Sequence, residues 1–198
     1  MTVDTTNMLA KNVILVDSSY IDKIAFDFTV NFERILERRV SKADLALWLD
    51  CISLDAGLEP GDNDIQVIFL YKQDQDVLNN FQPSNMKEDI DGKAFRDNLG
   101  EFGMEAYPIA ENITSAGEQF VETLRVLLDA EAVKNILIVP DMETYGEKVK
   151  DILNKNTKKR AVLFAIQPQT GLGFNLQQLG FSVVHALGIR SEEFNGLA

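Results

Sequence analysis

Cysteine and histidine are nearly missing from this sequence, with one of each in 198 residues. A single Cys excludes an internal disulfide framework, and the shortage of both excludes cysteine-based zinc sites and paired-histidine metal sites. Basic residues are also scarce, 19 Lys+Arg against 31 Asp+Glu, giving a net charge of −12. Long nucleic acids are held mainly by Lys and Arg neutralising phosphates, so this balance argues against an extended phosphate groove. No apolar run approaches the ~20 residues of a membrane-spanning helix, and no basic-then-apolar leader opens the chain. The expectation is a cytoplasmic protein of a reducing compartment, with no membrane association. Glycine-rich phosphate loops are lacking too. Gly171-Leu172-Gly173 has neither the third glycine nor the helix start of a dinucleotide fingerprint, and no Walker lysine follows a glycine loop. No Gly-x-Ser-x-Gly elbow accompanies His185, so a Ser–His–Asp hydrolase is not indicated.

What is present suffices for a large core: 45% of residues are hydrophobic, and the length fits one domain over 1–198. Short apolar runs alternate with helix-period stretches. Val13–Val16, Ile65–Leu70, Glu105–Ala110, Asn135–Val139, Arg160–Ile166 and Phe181–Leu187 read as strands. Ile21, Ile24, Phe28, Phe32 and Ile35 mark a long first helix. Ser41 with Asp44 suggests a capping box for a helix over 41–54 that is apolar almost all round. Further boxes at Ser115/Glu118 and Thr144/Glu147 open two more helices, with short helices expected at 94–102 and 174–179. Residues 72–93 are acidic and without period, and read as a long loop. The alternation predicts an α/β fold: a doubly wound, mostly parallel sheet of five strands in order 3-2-1-4-5, with a sixth at the edge. Cys51 is expected to be packing, and His185 to sit within the last strand.

Ligands of open parallel sheets bind beyond the carboxyl ends of the strands, where strand order reverses. Strands one and four meet there, and they end on Asp17 and Asp141. Glu143 lies in the same loop and Glu118 opens the helix before strand four. Carboxylates converging without a nearby Lys or Arg favour a hard cation, so the site expected is Asp17, Asp141 and Glu143 with Glu118 beside them, holding Mg²⁺ or Mn²⁺. Such an ion can orient water and stabilise charge on a phosphoryl oxygen. Each acid also has a structural reading: Asp17 as a cap, Glu118 in the Ser115 box, Glu143 complementing a positive helix end.

The run Val13-Ile14-Leu15-Val16-Asp17, with Ile136-Leu137-Ile138-Val139-Pro140-Asp141-Met142-Glu143-Thr144-Tyr145, resembles the PIN-like nuclease superfamily, and within it the NYN branch. That resemblance implies a metal-dependent ribonuclease with Asp17, Asp141 and Glu143 as catalytic acids and metal ligands, and RNA as a low-affinity partner. The chain departs from the branch at Tyr20, where an Asn is usual, and in 174–180, which contains no acid. As a whole it also looks like an uncharacterised bacterial family. The alternative is therefore a non-catalytic, degenerate relative that serves protein–protein contacts. The apolar 41–54 helix, together with Phe26 and Val30 off the main stripe of the first helix, points to a homodimer or another protein partner. Charge is unevenly spread: Asp55–Glu105 carries twelve acids and four bases, while Lys148–Arg160 carries six bases and one acid. Lys155, Lys158, Lys159 and Arg160 thus form one local basic surface, read as a solvated helix end or a phosphate contact.

Overall fold

The computed structural model describes residues 9–195. Seven strands form one sheet in the order β5-β6-β3-β1-β7-β8-β9. These are β1 (Asn12–Asp17), β3 (Asn63–Lys72), β5 (Lys93–Arg96), β6 (Gly100–Ile109), β7 (Asn135–Val139), β8 (Arg160–Ala165) and β9 (Asn175–Gln178). All pairings are parallel except β5 with β6. The five central strands, β6-β3-β1-β7-β8, run in the 3-2-1-4-5 order that the alternation predicts. The sheet is larger than expected and mixed.

Every residue of β1 is buried, because helices cover both of its faces. Ile14 and Val16 join one core with α1 (Ser18–Leu36), α2 (Leu45–Asp55) and α5 (Leu179–Ala186). Val13 and Leu15 join a second core with α3 (Ala116–Asp129) and α4 (Met142–Leu153). A continuous β-branched run is what a strand buried on both faces requires.

Several expectations are corrected. Residues 72–93 form an ordered strap: β4 (Phe81–Gln82) pairs with β2 (Ala43–Asp44), a wide turn spans Met86–Ile90, and Leu78, Phe81, Met86 and Ile90 are buried. Four apolar residues anchored one by one leave no period to detect. The weak helix at 94–102 is instead β5 and a turn, with Phe95 stacked on Phe102 at 4.6 Å. The last two elements exchange types: 175–178 is edge strand β9 and 179–186 is α5. Leu179, Ser182, Val183 and Ala186 are buried at helical spacing, so packing overrides the strand propensity of Ser182-Val183-Val184. His185 consequently sits exposed in the last turn of α5. Asp44, not Ser41, caps α2. That helix is largely covered within the chain, by α5 and by the strap, where Phe81 meets Trp48 edge-on at 5.8 Å. No described helix is long and apolar enough to cross a membrane.

Candidate functional site

Beyond the carboxyl ends of β1 and β7 lies a crevice of about 470 Å³. Parallel pairing sets it: Asp17 lies opposite Leu70, and Val16 opposite Val139, so Asp141 follows two residues beyond the paired end of β7. Asp17 and Asp141 both line this crevice. Each is also the N-cap of the helix that follows. Asp17 Oδ1 accepts from the Tyr20 amide at 3.1 Å. Asp141 Oδ1 accepts from the Glu143 and Thr144 amides at 3.0 Å, and its Oδ2 from Thr144 Oγ1 at 2.7 Å. The helix α4 therefore starts at Met142, and Thr144 serves Asp141 rather than heading its own box.

Tyr145 ends the run that carries the family resemblance but is not among the expected site residues. Its hydroxyl donates to Asp17 Oδ2 at 2.5 Å and accepts from the Asp141 amide at 3.2 Å. The ring is buried against Phe120, with centroids 5.4 Å apart. It also lies over Gly117, where a Cβ would come within 2.8 Å of it, so a side chain at 117 would displace Tyr145. A tyrosine four residues after a helix-capping aspartate projects back towards the cap. The spacing accounts for only part of this placement, since it says nothing of Asp17.

Burial pushes the Asp17 carboxyl above its usual value; the Tyr145 hydroxyl and Tyr20 amide oppose this, and the Asp141 charge adds to it. Burial first, and then the Asp17 charge, push Tyr145 far up, so it remains a phenol and a donor. Tyr20, facing the same acids, is pushed up to about 12, again chiefly by burial.

The other two expected acids stand apart from this pair. Glu118 is held by the Ser115 capping box, its Oε2 accepting from the Ser115 amide and hydroxyl, both at 3.0 Å. Glu143 makes an exposed ion pair with Lys23 at 2.7 Å. Lys23, Lys72 and Lys148 all line the crevice, so the acids do not converge without bases. Among the described residues, no three Asp, Glu, His or Cys side chains come close enough to hold one ion. The donor set therefore does not fit the three- or four-carboxylate centre expected for Mg²⁺ or Mn²⁺. The basic surface is reduced too. Lys159 donates to the Ala130 and Val133 carbonyls and Arg160 to the Ala56 carbonyl, leaving Lys155 and Lys158 along a shallow cleft with Arg125.

The Tyr145–Asp17 bond gives a direct prediction. A hydrogen bond to a buried charged group contributes about 1.5–3 kcal/mol, so Tyr145→Phe should destabilise by about that amount in urea unfolding at neutral pH. The pH dependence has a fixed sign. Asp17 titrates higher folded than unfolded, so its contribution is fully present below about pH 4 and is lost as pH rises through the folded value. Removing the Tyr145 hydroxyl raises that folded value further and widens the loss. Equal pH slopes for wild type and Tyr145→Phe would contradict this account.

The architecture so built is an α/β protein with a mostly parallel seven-stranded sheet, and at its strand ends a tyrosine hydroxyl that links the Asp17 carboxylate to the Asp141 amide. The chain belongs to a family of unknown function, DUF6621, whose model matches residues 6–194. No curated protein and no solved structure gives a match.

Proposed function

We propose that this chain is a non-catalytic α/β protein, a degenerate relative of the PIN/NYN branch, whose strand-end crevice serves binding rather than metal-dependent hydrolysis. One observation carries the reading: the Tyr145 hydroxyl links Asp17 Oδ2 to the Asp141 amide, and with the Tyr20 amide on Oδ1 both Asp17 oxygens already accept protein donors. Tyr145 supplies a proton where a nuclease needs an open oxygen ligand. Contacts with a second copy would fall on α1, where Phe26 is 53% and Val30 51% exposed, rather than on the covered α2.

A second reading has one observation in its favour. The Asp141 charge is near enough to raise the Asp17 titration, and two carboxylates with several waters can hold Mg²⁺. On that reading the crevice is a metal-dependent ribonuclease site. One experiment separates the two: single-stranded RNA cleavage and thermal melting, with and without Mn²⁺ and Mg²⁺, for wild type and Asp141→Asn. The non-catalytic reading expects no cleavage above the protein-free rate and melting temperatures that the metals do not change. Cleavage by wild type that is lost in Asp141→Asn would overturn it, as would a metal-dependent rise in melting temperature lost in the same variant.

A further inference from the structure

Residues 161–189 contain no Asp, Glu, Lys or Arg, although 25% of the chain is charged. This segment forms one end of the molecule: strand β8, the link after it, edge strand β9 and helix α5. β8 needs no charge because it is buried. The rest is different, since much of it faces solvent. Asn175 and Gln178 of β9 are exposed. Leu172 and Phe181, before and after β9 in sequence, are 73% and 77% exposed.

β9 is also where the sheet stops. Among the described residues it pairs with β8 alone, so every second amide and carbonyl along its outer side lacks a ladder partner. The opposite edge is built differently. β5 carries Lys93 and Arg96 at its two ends, with Asp91 and Asp97 close by, and such charges oppose edge-to-edge pairing. The β9 sequence Asn175-Leu176-Gln177-Gln178 has neither a charge nor a proline to prevent it.

Two features identify the partner as a second copy of this chain. The first is charge. At −12, two copies repel over most of their surfaces, and this uncharged end is where they meet at least electrostatic cost. The second is self-complementarity. In an antiparallel pair about a two-fold axis, opposed residues share a face, so the pairing centres on Leu176 or on Gln177. Centring on Leu176 sets it against Leu176 of the partner subunit, and Asn175 against Gln177 of the partner subunit. Apolar then meets apolar and amide meets amide. Centring on Gln177 would instead set Leu176 against Gln178 of the partner subunit.

We propose that β9 pairs antiparallel with β9 of a second copy, centred on Leu176, joining the two seven-stranded sheets into one. Leu172 and Phe181 then lie beside the junction, as charge-free, aromatic-bearing surface does at interface centres. The α1 face named above offers exposed side chains but no register, and the β9 edge supplies one. The pairing holds whichever reading of the strand-end crevice is right.

Sedimentation velocity on wild type and on a Leu172→Lys/Phe181→Lys double variant is the first test. Wild type should sediment as a dimer. The dissociation constant of the double variant should rise at least ~tenfold, because like charges then meet across the junction. Both side chains are exposed in the single chain, so the circular dichroism spectrum should not change. Phe26→Lys on α1 should weaken the dimer less. β9 amides should exchange hydrogen faster in the double variant than in wild type. The register is read with single cysteines in a Cys51→Ala background, which removes the one native thiol. Leu176→Cys should form an intersubunit disulfide, since opposed residues have Cα atoms about 4.5–5.5 Å apart. Gln177→Cys should not, because its copy lies on the diagonal at about 7–8 Å. A wild type that stays monomeric up to its solubility limit would overturn the proposal. So would a dimer dissociated by Phe26→Lys but not by the double variant, equal β9 exchange in the two proteins, or a disulfide at 177 without one at 176.

Discussion

Phe81→Ala is expected to destabilise the protein by about 3–5 kcal/mol, the range for truncating a fully buried aromatic. Phe81 is 0% exposed and sits in β4, the two-residue strand that ties the strap to β2. Its ring packs edge-on against Trp48, the one tryptophan of the chain. The substitution therefore leaves a cavity against α2 and loosens the strap, whose Leu78, Met86 and Ile90 belong to the same core. Two readouts follow from the geometry. Urea unfolding monitored by circular dichroism gives the stability loss. Tryptophan emission in the native state should shift to the red as water reaches Trp48, whose Nε1 has no partner among the described residues. A loss below about 1 kcal/mol, the scale of an average point substitution, with unchanged emission would mean that the strap contributes little to the fold.

Gly173→Ala is the second large effect, expected at about 3 kcal/mol or more from backbone strain and overlap together. Gly173 has φ +75°, and a Cβ there would lie 1.9 Å from the Leu153 carbonyl oxygen and 2.8 Å from that of Asn156. Both obstacles are backbone, so no side chain can rotate aside. The residue belongs to the link that carries the chain from β8 past the end of α4 into β9, and its carbonyl accepts from Asn156 Nδ2 at 2.8 Å. Hydrogen exchange should show β9 and the end of α4 losing protection first. Gly61→Ala is the control, since a Cβ there meets nothing within 4 Å. A loss no greater in Gly173→Ala than in the control would contradict the close approach.

That glycine shows how far the sequence reads. Gly171-Leu172-Gly173 lacks the pattern of a phosphate loop, and nothing local announces that position 173 abuts the backbone of α4. The Asp17–Asp141 pair was legible because it depends only on two apolar strands ending on acids and on the rules for parallel order. Tyr145 between them was not, because its placement needs the kink in α4 at φ −136°, ψ 19° and the absent side chain at Gly117. Glu118 and Glu143 carry the right charge at the right end of the sheet. They leave the pair because Ser115 and Lys23 offer them nearer partners.

The sequence by itself determined the alternating α/β class, the order of the five central strands, the strand-end position of two aspartates and the Ser115 capping box. These follow from periodicity and from short-range hydrogen bonding, which act over a few residues. Only the tertiary structure decided that 72–93 is a packed strap and that 175–186 is a strand followed by a helix. It alone decided that lysines share the crevice with the acids, and that a cleft opens between α1 and the strap. Each of these depends on contacts between residues tens of positions apart, such as Asp22 with Asn80 or Trp48 with Phe81. Packing at that range outweighs the propensity differences of well under 1 kcal/mol per residue by which a local pattern is read.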